Sequence, residues 1–543
     1  MENIKQLILA TVPDAVIEDK QYLTVTIKPE DLRTLAKALR YDKVACFDYL
    51  LQLTGVDYGD SLGVVYLLTS SKNMSQCVVV KTATSDLENP MLPTVSDIWD
   101  AANWNEREVY GFFGIRFINH PDMRQLFLPE RWKGYPFRKN YDASREINPL
   151  DLTSHDMVDT TVSYVSSEDG SVHEVTKKLF EDDDYVVNIG PQHPATHGVL
   201  HLRTALDGEI IKKIDVNCGY IHRGVEKLCE GLTYPQTLHF TDRLDYLSAH
   251  IYRHGLCMCV EKAAGIEVPE RAQYIRTIMD ELQRIDSHLI AWSCMCQDMS
   301  ALTAFIYGMR DREKILDIFE ETGGGRLIQN YNVIGGVMAD IHPNFVKRVK
   351  EFIPLMRKSL KEYHQLYTGN IIARERMIGV GVMSKETAIS YSITGPAARA
   401  SGIHCDLRKI APYAAYDKVE FKEIIRNECD SMARYLNRLD EIEESLHIIE
   451  QLIDNIPEGD YCAKTKAIIK LPEGEYFQRV EGGRGEWGVY ILSKGDKTPY
   501  RMKFRSPCMT LVNVMDTVCH GGKIADLITI GGSMDYIIPD IDR

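Results

Sequence analysis

Residues 269–292 read PERAQYIRTIMDELQRIDSHLIAW, and much of the architecture of the chain can be worked out from them. A proline followed by an acidic residue is typical of the first turn of a helix. Large apolar side chains then recur every three or four residues, which places them on one helix face. These side chains are Ile275, Ile278, Leu282, Ile285, Leu289 and Trp292. The spacing predicts a long helix with one buried stripe.

The stretches on either side of this helix extend the pattern. The same periodicity recurs at 343–367 and 419–453, which predicts long antiparallel helices in a bundle. Short apolar segments separated by turn residues predict strands instead. They lie at 186–188, 200–206 and 210–216, and from residue 475 onward. We therefore predict a central helical bundle flanked by small β layers.

The first part of the chain has a different character. Residues 1–141 mix helix and strand patterns, with a helix at 31–41 and strands at 62–69 and 76–82. Residues 142–184 contain twelve acidic and three basic residues and few large apolar ones, which is typical of a solvated linker. The predicted fold class is α+β. It comprises a small α/β domain at 1–141, an acidic linker at 142–184 and the bundle domain at 185–543.

Composition and charge restrict the possible functions. The chain has 543 residues, of which 44% are hydrophobic and 26% charged, as in globular proteins of more than one domain. Lys and Arg number 63 against 78 Asp and Glu, and this net charge of −15 argues against a nucleic-acid partner. No apolar run approaches the roughly 18 residues that cross a bilayer, and the N-terminus lacks a signal-peptide pattern. We expect a cytoplasmic protein whose membrane role is at most peripheral.

The 13 cysteines are predicted to be thiols, with Cys257, Cys259, Cys294 and Cys296 packed in the interior. Their odd number argues against a disulfide framework. Zinc and iron–sulfur sites commonly use Cys-x-x-Cys pairs, whereas this chain has only Cys-x-Cys, at 257/259 and 294/296. Residues two apart point to nearly opposite sides of a helix. We therefore predict no metal site.

Residues 190–198 read GPQHPATHG and form the densest polar cluster of the chain. Together with His201 they offer three histidines at intervals of four, which would suit a metal on a helix face. Prolines and glycines within the cluster make a continuous helix implausible. We predict a tight loop between two strands that holds a histidine near a ligand. A turn with exposed histidines is the alternative.

Two further polar features stand out. Residues 242–246 read DRLDY, just before a predicted helix that starts near Ser248. Asp and Arg at a helix entry often only cap the helix and pair with each other, and local sequence favours this interpretation. Asp298 lies in an otherwise apolar run and needs a partner. A histidine is a natural partner, and His288 is near in sequence, but periodicity does not identify the partner.

Several strings together carry a resemblance to a known family. They are GPQHPATHG at 190–198, GYIHRGVEK at 219–227, DRLDY at 242–246, RASG at 399–402 and DR at 542–543. Over residues 186–543 the chain resembles the D subunit of respiratory complex I, the NADH-quinone oxidoreductase. Upstream it resembles the C subunit, in WNEREVYGFFGI at 104–115, HPD at 120–122 and GYPFRK at 134–139. The whole chain thus resembles the fused C/D subunit of some bacteria.

The D subunit is related to the large subunit of nickel–iron hydrogenases, so the resemblance implies a hydrogenase-large-subunit-like fold for residues 185–543. It also makes a hydrogenase the rival interpretation. A nickel–iron centre needs two Cys-x-x-Cys pairs, because soft thiolates hold these metals. Here the first region holds Arg243 and Tyr246, and the second holds Ile537 and Asp540. Hydrogenase activity is therefore not expected.

The resemblance implies that a quinone headgroup occupies the cavity where hydrogenases hold their metals. By motif position, Tyr246 and His197 would be the hydrogen-bond partners of its carbonyls, and Asp298 would be the acidic partner of His197. The supporting residues would be His193, Arg243 and Asp245.

Electrons would have to come from outside the chain, because its cysteines do not show the spacing of four ligands that bind an iron–sulfur cluster. The resemblance implies a terminal iron–sulfur cluster on the neighbouring B subunit, with the ferredoxin-like I subunit and the membrane-embedded H subunit as further partners. The implied location is peripheral, at the cytoplasmic side of the cell inner membrane. The implied activity is that of a proton-translocating NADH:quinone oxidoreductase complex, without activity of the chain alone. A complex fed by ferredoxin or another donor, and a non-catalytic assembly scaffold, stay open as alternatives.

Overall fold

The computed structural model describes residues 2–142 and 158–543. The elements up to residue 118 are a mixture of helices and strands. They are α1 (Glu2–Thr11), β1 (Val16–Asp19), β2 (Leu23–Thr26), α2 (Leu32–Tyr41), β3 (Tyr49–Asp57), β4 (Leu62–Ser70), β5 (Asn73–Thr84), β6 (Met91–Pro93), α3 (Ala102–Phe113) and β7 (Arg116–Ile118). The helix predicted at 31–41 and the strands predicted at 62–69 and 76–82 are confirmed as α2, β4 and β5.

Strands β1 to β5 form one mixed sheet in the order β1-β2-β5-β4-β3. β2 and β5 pair in parallel, and the other neighbours pair antiparallel. Every residue of β3 and β4 is buried, so both faces of these strands are covered. This explains why their sequences are nearly continuous apolar runs rather than alternating ones.

The acidic stretch predicted as a linker contains ordered structure. Two strands, β8 (Thr160–Ser166) and β9 (Val172–Lys178), form an antiparallel hairpin. β8 pairs with β7, which extends a second sheet in the order β6-β7-β8-β9. Residues 143–157 of the predicted linker lie outside the described residues. The acidic composition therefore does not exclude strands at 160–178, and the two boundaries, at 141/142 and 184/185, stay a prediction.

The remaining elements surround long helices. The first group is β10 (Tyr185–Ile189), β11 (Gln192–His193), β12 (Gly198–Val199), β13 (His201–Asp207), β14 (Ile210–Asn217), α4 (Val225–Cys229), α5 (Tyr234–Leu244), α6 (Ala249–Ala264), α7 (Glu270–Asp298), α8 (Leu302–Gly323), β15 (Asn332–Val333), β16 (Gly336–Val337) and α9 (Phe345–Tyr363). The second group is α10 (Ile371–Met377), α11 (Lys385–Ser390), α12 (Gly395–Arg399), α13 (Leu407–Ile410), α14 (Ser431–Leu452), β17 (Gly474–Glu481), β18 (Glu486–Ser493), β19 (Arg501–Arg505), α15 (Pro507–Asn513), α16 (Met515–Cys519), α17 (Ile524–Met534) and α18 (Ile538–Asp542).

Helix α7 is the centre of the predicted bundle. It packs against α8, α14, α17 and α6, and the apolar side chains of its predicted stripe are buried. Its other faces are buried as well, including those that carry Asp280, Arg284 and His288. The helix is therefore surrounded on all sides along most of its length, rather than buried along one stripe only. This burial forces its charged side chains to find partners inside the protein.

The helix predicted at 419–453 is shorter than expected. It begins at Ser431, because the side chain of Asp430 accepts a hydrogen bond from the backbone N–H of Ala433 at 2.8 Å and caps the helix. Cys429 has a φ of +63°, which ends any helical path from the preceding residues. The helix predicted at 343–367 continues from α9 through a single π-helical turn, His364–Thr368.

Two three-stranded sheets flank the bundle, as predicted. Their orders are β10-β13-β14 and β17-β18-β19. All 13 cysteines are free. Both residues of the 257/259 pair are buried because α6 is enclosed on more than one side, whereas in the 294/296 pair Cys296 is buried and Cys294 is partly exposed, contrary to the prediction. Across residues 2–142 and 158–543, none of the helices combines the length and apolar character that a membrane span needs.

Candidate functional site

The histidine-rich stretch at 190–198 forms a loop between β10 and β13, as predicted. Gly190 opens this loop with a φ of +89°, and a Cβ there would lie 1.9 Å from the carbonyl oxygen of Leu200. Only glycine fits such a position. Within the loop, β11 and β12 pair as a short hairpin. The chain then holds His197 in the left-handed region, at a φ of +51°, where non-glycine residues are uncommon.

The side chain of His197 pairs with Asp298, the last residue of α7. His197 Nε2 lies 2.7 Å from Asp298 Oδ2, and 20% and 12% of the two side chains are exposed. Burial lowers the pKa of His197, but the hydrogen bond and charge of Asp298 outweigh it and raise the pKa above its ordinary value of 6.5. A Cβ on Gly532 would lie 3.2 Å from Asp298 Oδ2, so α17 packs closely behind the pair. The pair favours a protonated imidazole at the edge of the interior.

Tyr246 follows the end of α5 and is half-buried. Within residues 2–142 and 158–543, its hydroxyl has no hydrogen-bond partner. Burial raises the pKa of Tyr246 above its ordinary value; the positive charge of Arg484 opposes this shift and Asp245 adds to it. The hydroxyl therefore stays protonated at neutral pH and is available to a ligand.

A buried carboxylate fixes the segment that carries Tyr246. Asp245 has no solvent exposure. Its two oxygens lie 3.1 and 2.9 Å from Nη1 of Arg484, and Oδ1 also accepts the backbone N–H of Leu247 at 3.0 Å. These bonds hold the chain on both sides of Tyr246, so its position is determined by buried charges rather than by an exposed loop.

The histidine pair and the tyrosine belong to the same electrostatic neighbourhood. The charges of Arg484 and Asp535 each shift the pKa of both His197 and Tyr246, Arg484 downward and Asp535 upward. The contacts support this, because Arg484 bonds Asp245, next to Tyr246, and Asp535, at the end of the helix that packs against Asp298. The structure thus brings His197, Asp298, Tyr246 and Asp245 into one region.

The DRLDY segment ends a helix rather than beginning one. Asp242 and Arg243 lie in the last turn of α5, whereas Ser248 is the N-cap residue of α6. Asp242 is buried and pairs with Arg253 at 2.9 Å. Arg243 is exposed, and its guanidinium donates to a carbonyl oxygen of its own helix at 3.1 Å. The prediction that Asp242 and Arg243 cap a helix and pair with each other is therefore wrong.

The other histidines considered from the sequence lie elsewhere. His193 is exposed in β11. His288 pairs with Glu441, with 2.9 Å between Nε2 and Oε2, and both side chains are buried. His288 is thus not the partner of Asp298, although it is nearer in sequence than His197.

Ile537 and Asp540, which stand where hydrogenases have their second Cys-x-x-Cys pair, are buried. The backbone N–H of Ile537 donates to Cys508 Sγ at 3.3 Å. Asp540 has no solvent exposure, and burial together with the neighbouring charge of Asp245 raises its pKa to about 6. Its carboxylate accepts hydrogen bonds from Ser506 and, at 3.4 Å, from the Tyr252 hydroxyl. Ile537 and Asp540 thus provide a hydrocarbon side chain and a carboxyl group at the two positions where a nickel–iron centre needs soft thiolates.

Sequence reasoning missed two buried residues of this region, Arg484 and Asp535. Arg484 had a detectable signal, since an isolated arginine in the glycine-rich string GGRG at 482–485 is unusual between two apolar strands. Asp535 has a φ of +59° at the end of α17, and nothing in the local sequence reveals that its partner is Arg484.

Comparisons with known proteins find relatives along most of the chain. Residues 298–470 and 464–543 match the family model described as respiratory-chain NADH dehydrogenase, 49 Kd subunit, and residues 25–146 match the 30 Kd subunit. The NADH-quinone oxidoreductase C/D subunit of Phocaeicola vulgatus is 63% identical over 497 residues, which cover 91% of this chain and 95% of the relative. That of Bacteroides thetaiotaomicron is 58% identical over 95% of this chain and 99% of the relative. The D subunit of Geobacillus kaustophilus is 46% identical over 67% of this chain and its own full length.

Proposed function

Because the chain belongs to the family of NADH-quinone oxidoreductase C/D subunits, we propose that it forms the site where the quinone headgroup is reduced. The headgroup lies between Tyr246 and His197, next to the terminal iron–sulfur cluster of the neighbouring B subunit. The observation that carries this proposal is that the His197–Asp298 pair and Tyr246, whose hydroxyl has no partner among the described residues, are both within reach of the charges of Arg484 and Asp535. Such a pair of donors suits the two carbonyl oxygens of a quinone.

The reaction requires two electrons and two protons for each quinone. His197 binds Asp298 through Nε2, so Nδ1 is the ring nitrogen that can donate to a carbonyl oxygen. Asp298 favours the protonated imidazole and fixes its orientation. Tyr246 donates its hydroxyl proton to the other carbonyl. Both donors stabilise the negative charge that develops on the quinone oxygens as electrons arrive.

The surface beside Asp298 supports an apolar approach for the quinone tail. Leu302 and Ile306 at the start of α8 are more than half exposed, and so are Ile371 and Ile372 of α10. The two segments are close, because the Tyr367 hydroxyl just before α10 lies 3.3 Å from the sulfur of Met299, just before α8. Clustered exposed apolar side chains of this kind mark interaction surfaces. We assign this surface to the membrane-embedded H subunit and to the tail of the quinone.

Family membership supports the remaining parts of the proposal. The ferredoxin-like I subunit is a further partner, and the chain is peripheral at the cytoplasmic side of the cell inner membrane. It acts only within the assembled complex, which couples quinone reduction to proton translocation. His193, Arg243 and Asp245 are supporting residues. Of these, Asp245 has the best structural support, since it holds the segment of Tyr246 through Arg484.

The experiment that tests the proposal measures quinone reduction in membranes that carry Tyr246→Phe. We use NADH and then reduced ferredoxin as the donor, and we quantify the assembled complex. Loss of one donor to a reacting oxygen lowers kcat about 100-fold or more. Tyr66→Phe is the matched control, because Tyr66 is a buried tyrosine of β4 whose hydroxyl also has no partner among the described residues. Undiminished quinone reduction in Tyr246→Phe would reject the site and leave the chain as an assembly scaffold, and the donor that works identifies the electron source.

A further inference from the structure

A single arginine side chain connects the two halves of the candidate site. Arg484 lies in the turn between β17 and β18, and its side chain has no solvent exposure. Besides Asp245, its guanidinium contacts Asp535 Oδ1 at 3.2 Å through Nη2 and the Ser287 hydroxyl at 2.9 Å through Nη1. The partners come from α7, from the end of α17 and from the segment after α5. A buried arginine with several such bonds is held in one position, because its fork of donors is planar and rigid.

Each of the two carboxylates belongs to a segment that carries one half of the site. Asp245 precedes Tyr246 directly in the chain. Asp535 ends α17, the helix that packs behind Asp298 and hence behind the partner of His197. Asp245 and Asp535 are separated by hundreds of residues in sequence, so their relative position depends on contacts such as those of Arg484.

We propose that Arg484 is a positioning residue for quinone reduction. Because it bonds Asp245 and Asp535 at the same time, it sets the separation between Tyr246 and the His197–Asp298 pair. This inference rests on the proposed function, because it concerns the same site. Arg484 itself does not need to contact the quinone. Its role is to keep both donors at hydrogen-bond distance from a headgroup of fixed size, and an error of about 1 Å at such a site costs on the order of 100-fold in rate.

The positive charge of Arg484 has a second effect, on the acidity of both donors. This charge lowers the pKa of His197 and of Tyr246, and it also acts on other charged and titratable groups nearby. Besides His197 and Tyr246, the charged or titratable groups that interact with Arg484 include Asp245, Asp535, Asp286, Arg438, Tyr252, Cys508 and Cys294. A lysine at this position would keep the charge but could not bond both carboxylates with a planar fork. Geometry and charge can therefore be separated by substitution.

The test compares Arg484→Lys and Arg484→Gln in the assembled complex within membranes. The readouts are the amount of complex, kcat and KM for a short-chain quinone, and the pH profile of kcat between about pH 5.5 and 9. Arg479→Gln is the matched control, since Arg479 is a buried arginine of β17 whose guanidinium pairs with Glu486 at 2.9 Å and otherwise bonds Met74 and Cys77, not Asp245 or Asp535. Reduction of ferricyanide by NADH, which does not require the quinone site, reports intact electron input.

We expect kcat to fall about 10- to 100-fold in both Arg484 variants while ferricyanide reduction is retained. In Arg484→Gln, the alkaline limb of the pH profile should also move to higher pH, because the charge that lowers the pKa of His197 has been removed. In Arg484→Lys that limb should stay in place. Arg479→Gln should reduce only the amount of complex, without changing the pH profile of the remaining activity.

The inference is overturned if Arg484→Lys has wild-type kcat and KM, or if the alkaline limb of Arg484→Gln coincides with that of the wild type. Should Arg484→Gln fail to assemble, the kcat of Arg484→Lys decides. Failure of the underlying function is recognised separately, since Tyr246→Phe would then reduce quinone at the wild-type rate. If Tyr246→Phe is inactive and the Arg484 variants are normal, only the positioning role is rejected.

Discussion

Replacing Asp298 by asparagine removes the charge that raises the pKa of His197 and leaves the size of the side chain nearly unchanged. The hydrogen bond to His197 is 2.7 Å long, and both side chains are largely buried. Burial alone lowers the pKa of His197, and the net rise depends on Asp298. In Asp298→Asn we therefore expect a pKa below 6.5 and a mostly neutral imidazole at neutral pH.

The magnitude follows from the bond that is lost. A hydrogen bond to a charged group contributes about 1.5–3 kcal/mol, and about 1.4 kcal/mol corresponds to a factor of ten in rate. We expect kcat for quinone reduction at pH 7.5 to fall about 10- to 100-fold. The loss should shrink toward acid pH, where His197 becomes protonated without the help of Asp298. The alkaline limb of the pH profile should therefore move to lower pH.

The assay is NADH-driven quinone reduction by membranes between about pH 5.5 and 9, normalised to the amount of assembled complex. Glu423→Gln is the matched control, because Glu423 pairs at 2.8 Å with His404, an exposed histidine remote in sequence from the loop. That variant should keep the wild-type profile. An alkaline limb in Asp298→Asn that coincides with the wild-type limb would refute the role of Asp298.

The same pair should influence stability with a defined sign. The pKa of His197 is raised in the folded protein, so its contribution to stability is fully present below the ordinary histidine pKa and is lost as the pH rises through the raised value. The difference in thermal stability between the wild type and Asp298→Asn should therefore be larger at pH 6 than at pH 9. An equal difference at both pH values would show that the pair is not ionised in the folded protein.

Three further predictions concern the loop, the site and the helix bundle. Gly190→Ala should abolish assembly or destabilise the fold by more than about 3 kcal/mol, because its backbone φ is positive and the new Cβ would clash with Leu200. Gly208→Ala is the control, since Gly208 has a positive φ but open space around it, and should lower stability by only about 1–2 kcal/mol. Thermal inactivation of the two variants measures the difference. Cys294 interacts electrostatically with Tyr246, and burial raises the pKa of its thiol to about 11. Alkylation of this thiol should therefore inhibit quinone reduction, faster at higher pH and more slowly when quinone is present. The variant Cys294→Ser should not be inhibited. Asp430→Ala should lower stability by about 1 kcal/mol through loss of the helix cap, as measured by the midpoint of thermal inactivation.

Local sequence predicted the regular elements well, because their patterns depend on neighbours within a few turns. The apolar spacing at 275–292 correctly indicated a long buried helix, and the alternation of turns and apolar runs located the flanking strands. The start of α14 was missed because apolar spacing continues upstream of Asp430, whereas the actual boundary is a single capping bond. Boundaries that depend on one side chain are not visible in periodicity.

The site was harder to predict from residues alone, because its contacts join distant segments. His197 and Asp298 are separated by 101 residues, and Arg484 and Asp245 by 239. No helical or strand spacing encodes such pairs. The residues named from family resemblance could be located by their motifs, but Arg484 belongs to no motif considered and was found only from its burial and its contacts.

The arrangement of charge around the candidate site also bears on its proposed ligand, since it favours a neutral quinone over a divalent cation. Asp245 and Asp535 would be suitable oxygen ligands for a cation, but both already bind the guanidinium of Arg484. Burial raises the pKa of Asp540 to about 6, so at pH values near 6 a substantial fraction of that carboxyl is neutral. A cation would have to displace a buried arginine and leave its charge unpaired, which costs several kcal/mol. A neutral headgroup needs only hydrogen-bond donors, and Tyr246 and His197 offer them without disturbing the ion pairs.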